Sequence, residues 1–235
     1  MSVVSSSFRA RVRSNIERPV AAVFTKTGLS PNALTVIGFG IAVIGAWLAA
    51  SQLWVMAALI VAFGAVFDLF DGALARATNK VSKVGGFLDS VFDRAGESVV
   101  YIGCCWACLS VNYDLGAILS CAAMATSFMV SYTRAKSESL GFSSGTGMGN
   151  VGLAPREIRT AILVVGLLAI GWLGGLGFAF IPQDGGQLSN TAVESGRLAI
   201  SATMGAISVL ATITTLQRIY FVYRQIEPNQ QEVLK

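Results

Sequence analysis

Long apolar stretches are the feature that most restricts the fold of this chain. A helix needs about 20 apolar residues to cross a bilayer. Six stretches approach this length, at residues 33–50, 53–75, 86–110, 114–135, 157–181 and 197–222. Only 13% of the 235 residues are charged, whereas soluble domains carry about 25%. We therefore predict an all-α integral membrane protein with six transmembrane helices.

The residues before the first stretch follow a different pattern. Between Phe8 and Lys26, basic residues accompany apolar ones that recur at helical spacing, which is typical of a helix lying in the membrane interface. Gly28 and Pro31 then interrupt the helix. We predict three parts: an amphipathic juxtamembrane helix over 1–28, a six-helix transmembrane domain over 29–226 and a cytoplasmic tail over 227–235.

Lysine and arginine are distributed unevenly among the connections. Basic clusters precede the first stretch, separate the second from the third and the fourth from the fifth, and follow the sixth. Near the other connections the only basic residue is Arg197. Cytoplasmic loops carry an excess of basic residues. We therefore predict that both termini face the cytoplasm.

The chain has no histidine, which excludes histidine-ligated zinc and Ser–His catalysis. Its cysteines all lie in apolar stretches, at Cys104, Cys105, Cys108 and Cys121. No second pair accompanies the two-residue gap between Cys105 and Cys108. We interpret all four as buried thiols that pack as small apolar side chains, so a bound metal must have oxygen ligands.

Four aspartates flank the connection between the second and third stretches. Asp68 and Asp71 lie three residues apart, and Asp89 and Asp93 lie four apart, so each pair shares one helix face. The short connection makes these two stretches an antiparallel hairpin. Both pairs then lie at similar depth near the cytoplasmic side and can point at each other.

Carboxylates in a membrane are costly. Each Asp costs about 3 kcal/mol to insert, and converging like charges repel one another. Divalent cations offset both costs, and with oxygen ligands alone Mg²⁺ or Mn²⁺ is favoured. Two such ions that bridge a pyrophosphate would stabilise the charge on a leaving group. We therefore predict a site for two divalent ions, held by Asp68, Asp71, Asp89 and Asp93.

Small residues and one cation accompany the acids. Gly72, Gly85 and Gly86 lie beside them, and the missing side chains let a phosphate approach the backbone closely. Ala75 keeps the same face open, and Arg76 offers a guanidinium fork that matches phosphate. The pattern predicts a diphosphate site.

Two other interpretations of the acids are open. One is a buried salt-bridge network with Arg76, Lys83 and Arg94, although the cations are fewer than the carboxylates at that depth. The other is the ion site of a membrane transporter. Transporters usually place such charges near the midplane and across an internal repeat, whereas here they cluster at one face and no repeat is found.

The spacing Asp68-x2-Asp71-Gly72-x2-Ala75-Arg76-x8-Gly85-x3-Asp89-x3-Asp93 resembles the signature of the CDP-alcohol phosphotransferase family at every position. The resemblance implies transfer of a phosphatidyl-type group from a CDP-activated lipid to a small alcohol, with CMP as leaving group. The lipid would be of the CDP-diacylglycerol or CDP-archaeol type. The resemblance also implies phospholipid biosynthesis in a prokaryotic cell membrane, by a homodimer whose active site opens on the cytoplasmic side.

Roles for single residues follow from the same resemblance. Asp68, Asp71 and Asp89 would chiefly hold the two metal ions. Asp93 would lie close to them and would also be the general base for the acceptor hydroxyl. The CDP part of the donor would lie against a second group of residues: Pro31, Asn32, Thr35, Gly72, Ala75, Arg76 and Gly85.

Five cations at the cytoplasmic ends of the later stretches predict the acceptor site: Arg134, Lys136, Arg156, Arg159 and Arg218. They favour an anionic acceptor, although the cytoplasmic excess of basic residues would also account for each. The segment 131–138 resembles that of prokaryotic phosphatidylinositol phosphate and archaetidylinositol phosphate synthases, which predicts myo-inositol phosphate. Glycerol 3-phosphate, free inositol, serine or another alcohol stay open. No nucleic acid is expected as a partner.

Overall fold

The computed structural model describes residues 30–77, 82–142, 151–176 and 190–233, with the backbone alone at 31, 69–77, 190 and 226–233. All regular structure in these ranges is helical. The six helices are α1 Pro31–Ala50, α2 Trp54–Ala77, α3 Lys83–Ser110, α4 Asp114–Ser139, α5 Arg156–Trp172 and α6 Asn190–Val233. The all-α class is therefore confirmed for this part of the chain. The predicted interfacial helix over 1–28 lies outside the described residues.

Two serines determine where α1 and α3 begin. The Ser30 side chain accepts a hydrogen bond from Ala33 N at 3.2 Å, and Pro31 takes the first helical position, where its missing N–H would be unpaired in any case. Ser82 caps α3 in the same way, through Gly85 N at 2.9 Å. Both caps fix the start of a helix that carries predicted site residues.

Two tight turns lie at the end of the bundle away from the aspartates. Gln52 joins α1 to α2 with a φ of 61°, and Asn112 joins α3 to α4 with a φ of 53°, a left-handed conformation that is uncommon outside glycine. Gln52 Nε2 donates to Ser110 Oγ at 3.2 Å. The two turns therefore lie side by side, and α1–α2 and α3–α4 are hairpins that open toward the opposite end.

The six helices pack as a closed ring, in the order α1, α2, α5, α6, α4, α3 and back to α1. Small residues allow the closest contacts, as where a Cβ added to Gly103 of α3 would lie 2.3 Å from Ala46 O of α1. Such contacts are typical of helices packed in membranes. In this order α3 and α5 are not neighbours but face each other across the ring.

α5 is shorter than the predicted span. It ends at Trp172 rather than near residue 181, because Gly174 and Gly175 take φ values of 105° and 74°. Left-handed residues of this kind terminate helices. α6, by contrast, is longer than predicted at both ends, and its backbone continues into the predicted tail.

Three of the described helices are long and apolar enough to cross a membrane: Asn32–Ala50, Asp114–Ser139 and Thr191–Gln225. The apolar part of α2, Trp54–Asp68, is shorter, and α5 has 17 residues. α3 carries several charged residues in its first half. Membrane character is therefore supported, and three of the six predicted spans qualify by length and composition. The aspartates that interrupt α2 and α3 belong to the predicted site.

The cysteines are free thiols that differ in burial. Cys104 and Cys108 are buried, as predicted, whereas Cys105 is half-buried and Cys121 is exposed. The prediction of a buried thiol is wrong for Cys121, because this position lies on the outer face of α4. Its Sγ lies 3.7 Å from Cys105 Sγ on α3.

Candidate active site

Three aspartates from two helices converge at one end of the bundle. Asp68 of α2 and Asp89 and Asp93 of α3 each offer a carboxylate oxygen, and these oxygens lie within 4.8 Å of one another. All three residues are half-buried. The structure therefore brings together three of the four carboxylates that the sequence singles out. The fourth, Asp71, lies in the part of α2 where only the backbone is described.

The donor set suits a hard divalent cation. Carboxylate oxygens are the ligands that Mg²⁺ and Mn²⁺ prefer, and oxygens this close together repel one another unless a cation lies near them. Among the described residues, no other group of three or more Asp, Glu, Cys or His side chains has this geometry. Asp68, Asp89 and Asp93 are therefore the residues that fit a metal ion.

Arg156, the first residue of α5, lies directly against the acids. Its NH1 is 2.6 Å from Asp68 Oδ2 and 2.7 Å from Asp93 Oδ1. Arg94 NH1 approaches Asp93 Oδ2 at 3.3 Å. From the sequence, Arg156 is predicted to bind the acceptor, and the cations beside the acids are predicted to be too few. The structure adds this one because the start of α5 reaches the carboxylates across the ring.

A small cavity extends from the acids between α1, α2, α3 and α5. Its volume is about 70 Å³. Apolar and small residues form most of its wall, including Gly38, Gly64 and Gly96. Thr35, a predicted donor-binding residue, also lines it.

A much larger cavity lies on the other side of the acids, mainly between α3, α4, α5 and α6. Its volume is about 840 Å³. Five guanidinium groups line it, those of Arg94, Arg134, Arg156, Arg159 and Arg218. Three side chains, Asp68, Asp93 and Arg156, line both cavities. Carboxylates line the large cavity as well: Asp68, Asp89, Asp93, Glu138 and Glu157. The acids therefore lie at the junction of a mostly apolar cavity and a larger one that is rich in charged side chains.

Four of the five predicted acceptor residues line the large cavity, and Lys136 does not. Lys136 is exposed at the end of α4. Arg134 is partly exposed and pairs with Glu138, Nε to Oε1 at 2.9 Å. Arg218 is buried, and it donates to Val151 O at 3.0 Å and to Val130 O.

Arg159 is the most enclosed of these cations. Its side chain is 1% exposed, and it donates from Nε and NH2 to the two carboxylate oxygens of Glu97, at 2.8 and 2.7 Å. Its NH1 donates to Ala154 O at 3.0 Å. Glu97 is not among the predicted site residues, although it follows Asp89 and Asp93 at the same interval of four residues.

The predicted donor-binding residues are described in part. A Cβ on Gly85 would lie 3.1 Å from Asn32 Oδ1, so the starts of α1 and α3 meet at these two positions. Pro31 is the first residue of α1, and its side chain is outside the described set. The same holds for the positions in the last turns of α2: Gly72, Ala75 and Arg76.

The chain is similar to known proteins over most of its length. The family model described as CDP-alcohol phosphatidyltransferase matches residues 28–213. Archaetidylinositol phosphate synthase of Pyrococcus horikoshii is 32% identical over 94% of this chain and 98% of its own. A crystal structure of Mycobacterium tuberculosis phosphatidylinositol phosphate synthase with CDP-DAG bound is 27% identical, covers 89% of this chain and 94% of its own, and has a TM-score of 0.70. A structure of the same enzyme in complex with manganese and citrate is also 27% identical. It covers 88% of this chain and 89% of its own, with a TM-score of 0.70.

Proposed function

Because this chain belongs to the CDP-alcohol phosphatidyltransferase family, we propose that it transfers the phosphatidyl-type group of a CDP-activated lipid to an inositol phosphate. A member of this family is a CMP-releasing transferase of phospholipid synthesis. The family assignment therefore excludes the transporter interpretation. The observation that carries the acceptor choice is the large cavity, where guanidinium groups surround a space that opens on the acids. The relatives reported above carry the names archaetidylinositol phosphate synthase and phosphatidylinositol phosphate synthase, which supports the same choice.

The donor headgroup is assigned to the small cavity and the adjoining starts of α1 and α3. This cavity ends at Asp68 and Asp93, which supports a diphosphate site beside the carboxylates. Asn32 lies beside Gly85 and one helical turn before Thr35, which lines the cavity. Pro31, Gly72, Ala75 and Arg76 complete the proposed donor site. The lipid is of the CDP-diacylglycerol or CDP-archaeol type, in keeping with the relative that was solved with CDP-DAG.

Asp68, Asp89 and Asp93, together with Asp71, would hold two divalent ions, Mg²⁺ or Mn²⁺. The bound ions would neutralise the diphosphate and the charge that develops on the departing CMP. The close approach of three carboxylate oxygens supports this assignment, and a relative has been solved with manganese.

Asp93 is the proposed general base. It lies where the two cavities meet, so one carboxylate oxygen can accept the proton of an acceptor hydroxyl while donor and acceptor are held side by side. Arg156 contacts Asp93 Oδ1 and holds the carboxylate in one orientation. Arg134, Arg156 and Arg218 would bind the acceptor phosphate through charge-assisted hydrogen bonds.

The proposed membrane arrangement has six spans, an interfacial helix over 1–28, cytoplasmic termini and a cytoplasmic active site in a homodimer. The turns at Gln52 and Asn112 lie at the bundle end away from the acids, which supports a hairpin arrangement. Single cysteines at Lys80, Ser144 and Gln187, all outside the described residues, test it. A membrane-impermeant thiol reagent should label the first two only from the cytoplasmic side and the third only from outside. The opposite pattern would contradict the orientation.

The decisive experiment compares acceptors. Purified enzyme with a CDP-lipid and Mg²⁺ should release CMP with myo-inositol phosphate and react poorly with free inositol. Without the phosphate, the guanidinium groups of the cavity lose the hydrogen bonds that the phosphate oxygens would accept, and such sites discriminate strongly. Glycerol 3-phosphate and serine complete the panel. If one of them, or free inositol, were the best acceptor, the inositol phosphate assignment would be wrong.

A further inference from the structure

We propose that Glu97 is a positioning residue, which fixes α5 against α3 through Arg159 and so holds Arg156 on Asp93. The inference rests on the proposed function, because it concerns the geometry of the proposed base. Glu97 lines the small cavity beside Asp93, but Arg159 engages both of its carboxylate oxygens, so it acts through its neighbours.

Two ion pairs connect α3 and α5 as parallel rungs. Asp93 and Glu97 lie four residues apart on α3, and Arg156 and Arg159 lie three apart on α5, so each pair shares a helix face. The outer rung joins Arg156 to Asp93 through one contact of 2.7 Å. The inner rung joins Arg159 to Glu97 through two contacts of 2.8 and 2.7 Å. α3 and α5 are not adjacent in the ring, so the rungs bridge its interior.

The inner rung is the more rigid of the two. Arg159 and Glu97 have side chains that are 1% and 9% exposed, whereas Arg156 is 33% exposed. A bidentate guanidinium–carboxylate pair fixes distance and orientation together. Asp93 of the outer pair is 14% exposed, so the outer pair is less enclosed than the inner one. The inner pair therefore sets the depth and rotation at which α5 meets α3.

The partners of the inner rung are themselves held in place. Tyr101 OH donates to Glu97 Oε1 at 3.1 Å and lies 3.3 Å from Ser127 Oγ of α4. Arg159 NH1 donates to Ala154 O, directly before α5. All three nitrogens of the Arg159 guanidinium therefore have partners within the protein. An acceptor phosphate would have to displace Glu97 to use this side chain.

Loss of the inner rung would also affect Asp93, one helical turn away on α3. If the inner rung were lost, α5 could shift against α3, and Arg156 would no longer hold Asp93 toward the junction of the two cavities. Groups that orient metal ligands typically change metal affinity or activity by about 10–100-fold when they are removed. Glu97 is expected to act in this range.

The test uses the variants Glu97→Gln, Arg159→Gln and their combination in purified full-length enzyme. Glu194→Gln, an exposed glutamate near the start of α6, is the matched control. CMP release measures kcat and both KM values, titration with Mn²⁺ followed by EPR measures metal affinity without turnover, and thermal unfolding measures stability.

Each single variant should lower kcat by about 10-fold or more and weaken Mn²⁺ binding, with the acceptor KM unchanged. The combined variant should be no slower than either single one, because the two side chains act as a unit. The control should match the unmodified enzyme. A single variant leaves one buried charge unpaired and can fail to fold. The combined variant removes both charges, so its kcat and Mn²⁺ affinity then decide the matter.

Two results would overturn the inference. A rise in acceptor KM for Arg159→Gln alone, with normal kcat for Glu97→Gln, would make Arg159 an acceptor ligand. Unchanged kcat and Mn²⁺ affinity in the combined variant would make the pair merely structural. A wrong acceptor assignment is recognised separately, because the unmodified enzyme would then prefer another alcohol while the Mn²⁺ titration would be unaffected.

Discussion

The two cavities that meet at the aspartates differ in almost every respect. The small one, about 70 Å³, has walls of glycine and apolar side chains, whereas the large one, about 840 Å³, is lined by arginines. They share Asp68, Asp93 and Arg156. Residues that line only one cavity should therefore affect the KM of one substrate, whereas the shared residues should affect the reaction with both.

Removal of divalent metal should have the largest effect, because the carboxylates at the junction serve both cavities. Treatment with EDTA should abolish CMP release, and excess Mg²⁺ or Mn²⁺ should restore it. The measurement is CMP formation before and after chelation and after dialysis into metal. Activity that persisted in EDTA would contradict the metal assignment.

Asp93→Asn should have the second largest effect on CMP release. An amide cannot accept the proton of the acceptor hydroxyl, and a general base contributes roughly 10²–10⁴-fold, so CMP release should fall by about that factor with either substrate saturating. Asp114→Asn, an exposed aspartate at the other end of the bundle, is the control. Near-normal activity of folded Asp93→Asn enzyme would rule out the proposed base.

Arg134→Gln should affect only the substrate that is bound in the large cavity. Loss of one charge-assisted hydrogen bond should raise the acceptor KM about 10-fold or more and leave the donor KM unchanged. Lys136→Gln removes the same charge two residues away, from a side chain that does not line the cavity, and should have little effect. If both variants raised the acceptor KM equally, a position in the wall of the large cavity would not determine acceptor binding.

Gly38→Val should affect the small cavity alone, and with the smallest effect. A Cβ at this position would lie 3.8 Å from Phe67 Cδ1, so the helix should tolerate it while the cavity narrows. Overpacking of this kind should raise the donor KM about fivefold or more and leave the acceptor KM unchanged. Gly40→Val is the control, because no atom of another described element lies within 4 Å of a Cβ there. A change confined to the acceptor KM would reverse the assignment of the cavities.

Much of the candidate site was predictable because its spacing is local. Asp89 and Asp93 share a face wherever that segment is helical, and a short connection brings Asp68 close to them. The same reasoning could have included Glu97, which continues the interval of four. Helix ends were less predictable, since glycines in left-handed conformations end α5 before its apolar run is over.

The sequence by itself determined the helical class, the family signature and the converging aspartates, because these depend on periodicity and on residues close together in the chain. Only the tertiary structure decided which cations serve which acids. It places Arg156 on Asp93, encloses Arg159 with Glu97 and leaves Lys136 outside the large cavity. The physical reason is that spacing along one helix is set by 3.6 residues per turn, whereas contacts between helices depend on the depth and rotation at which they pack.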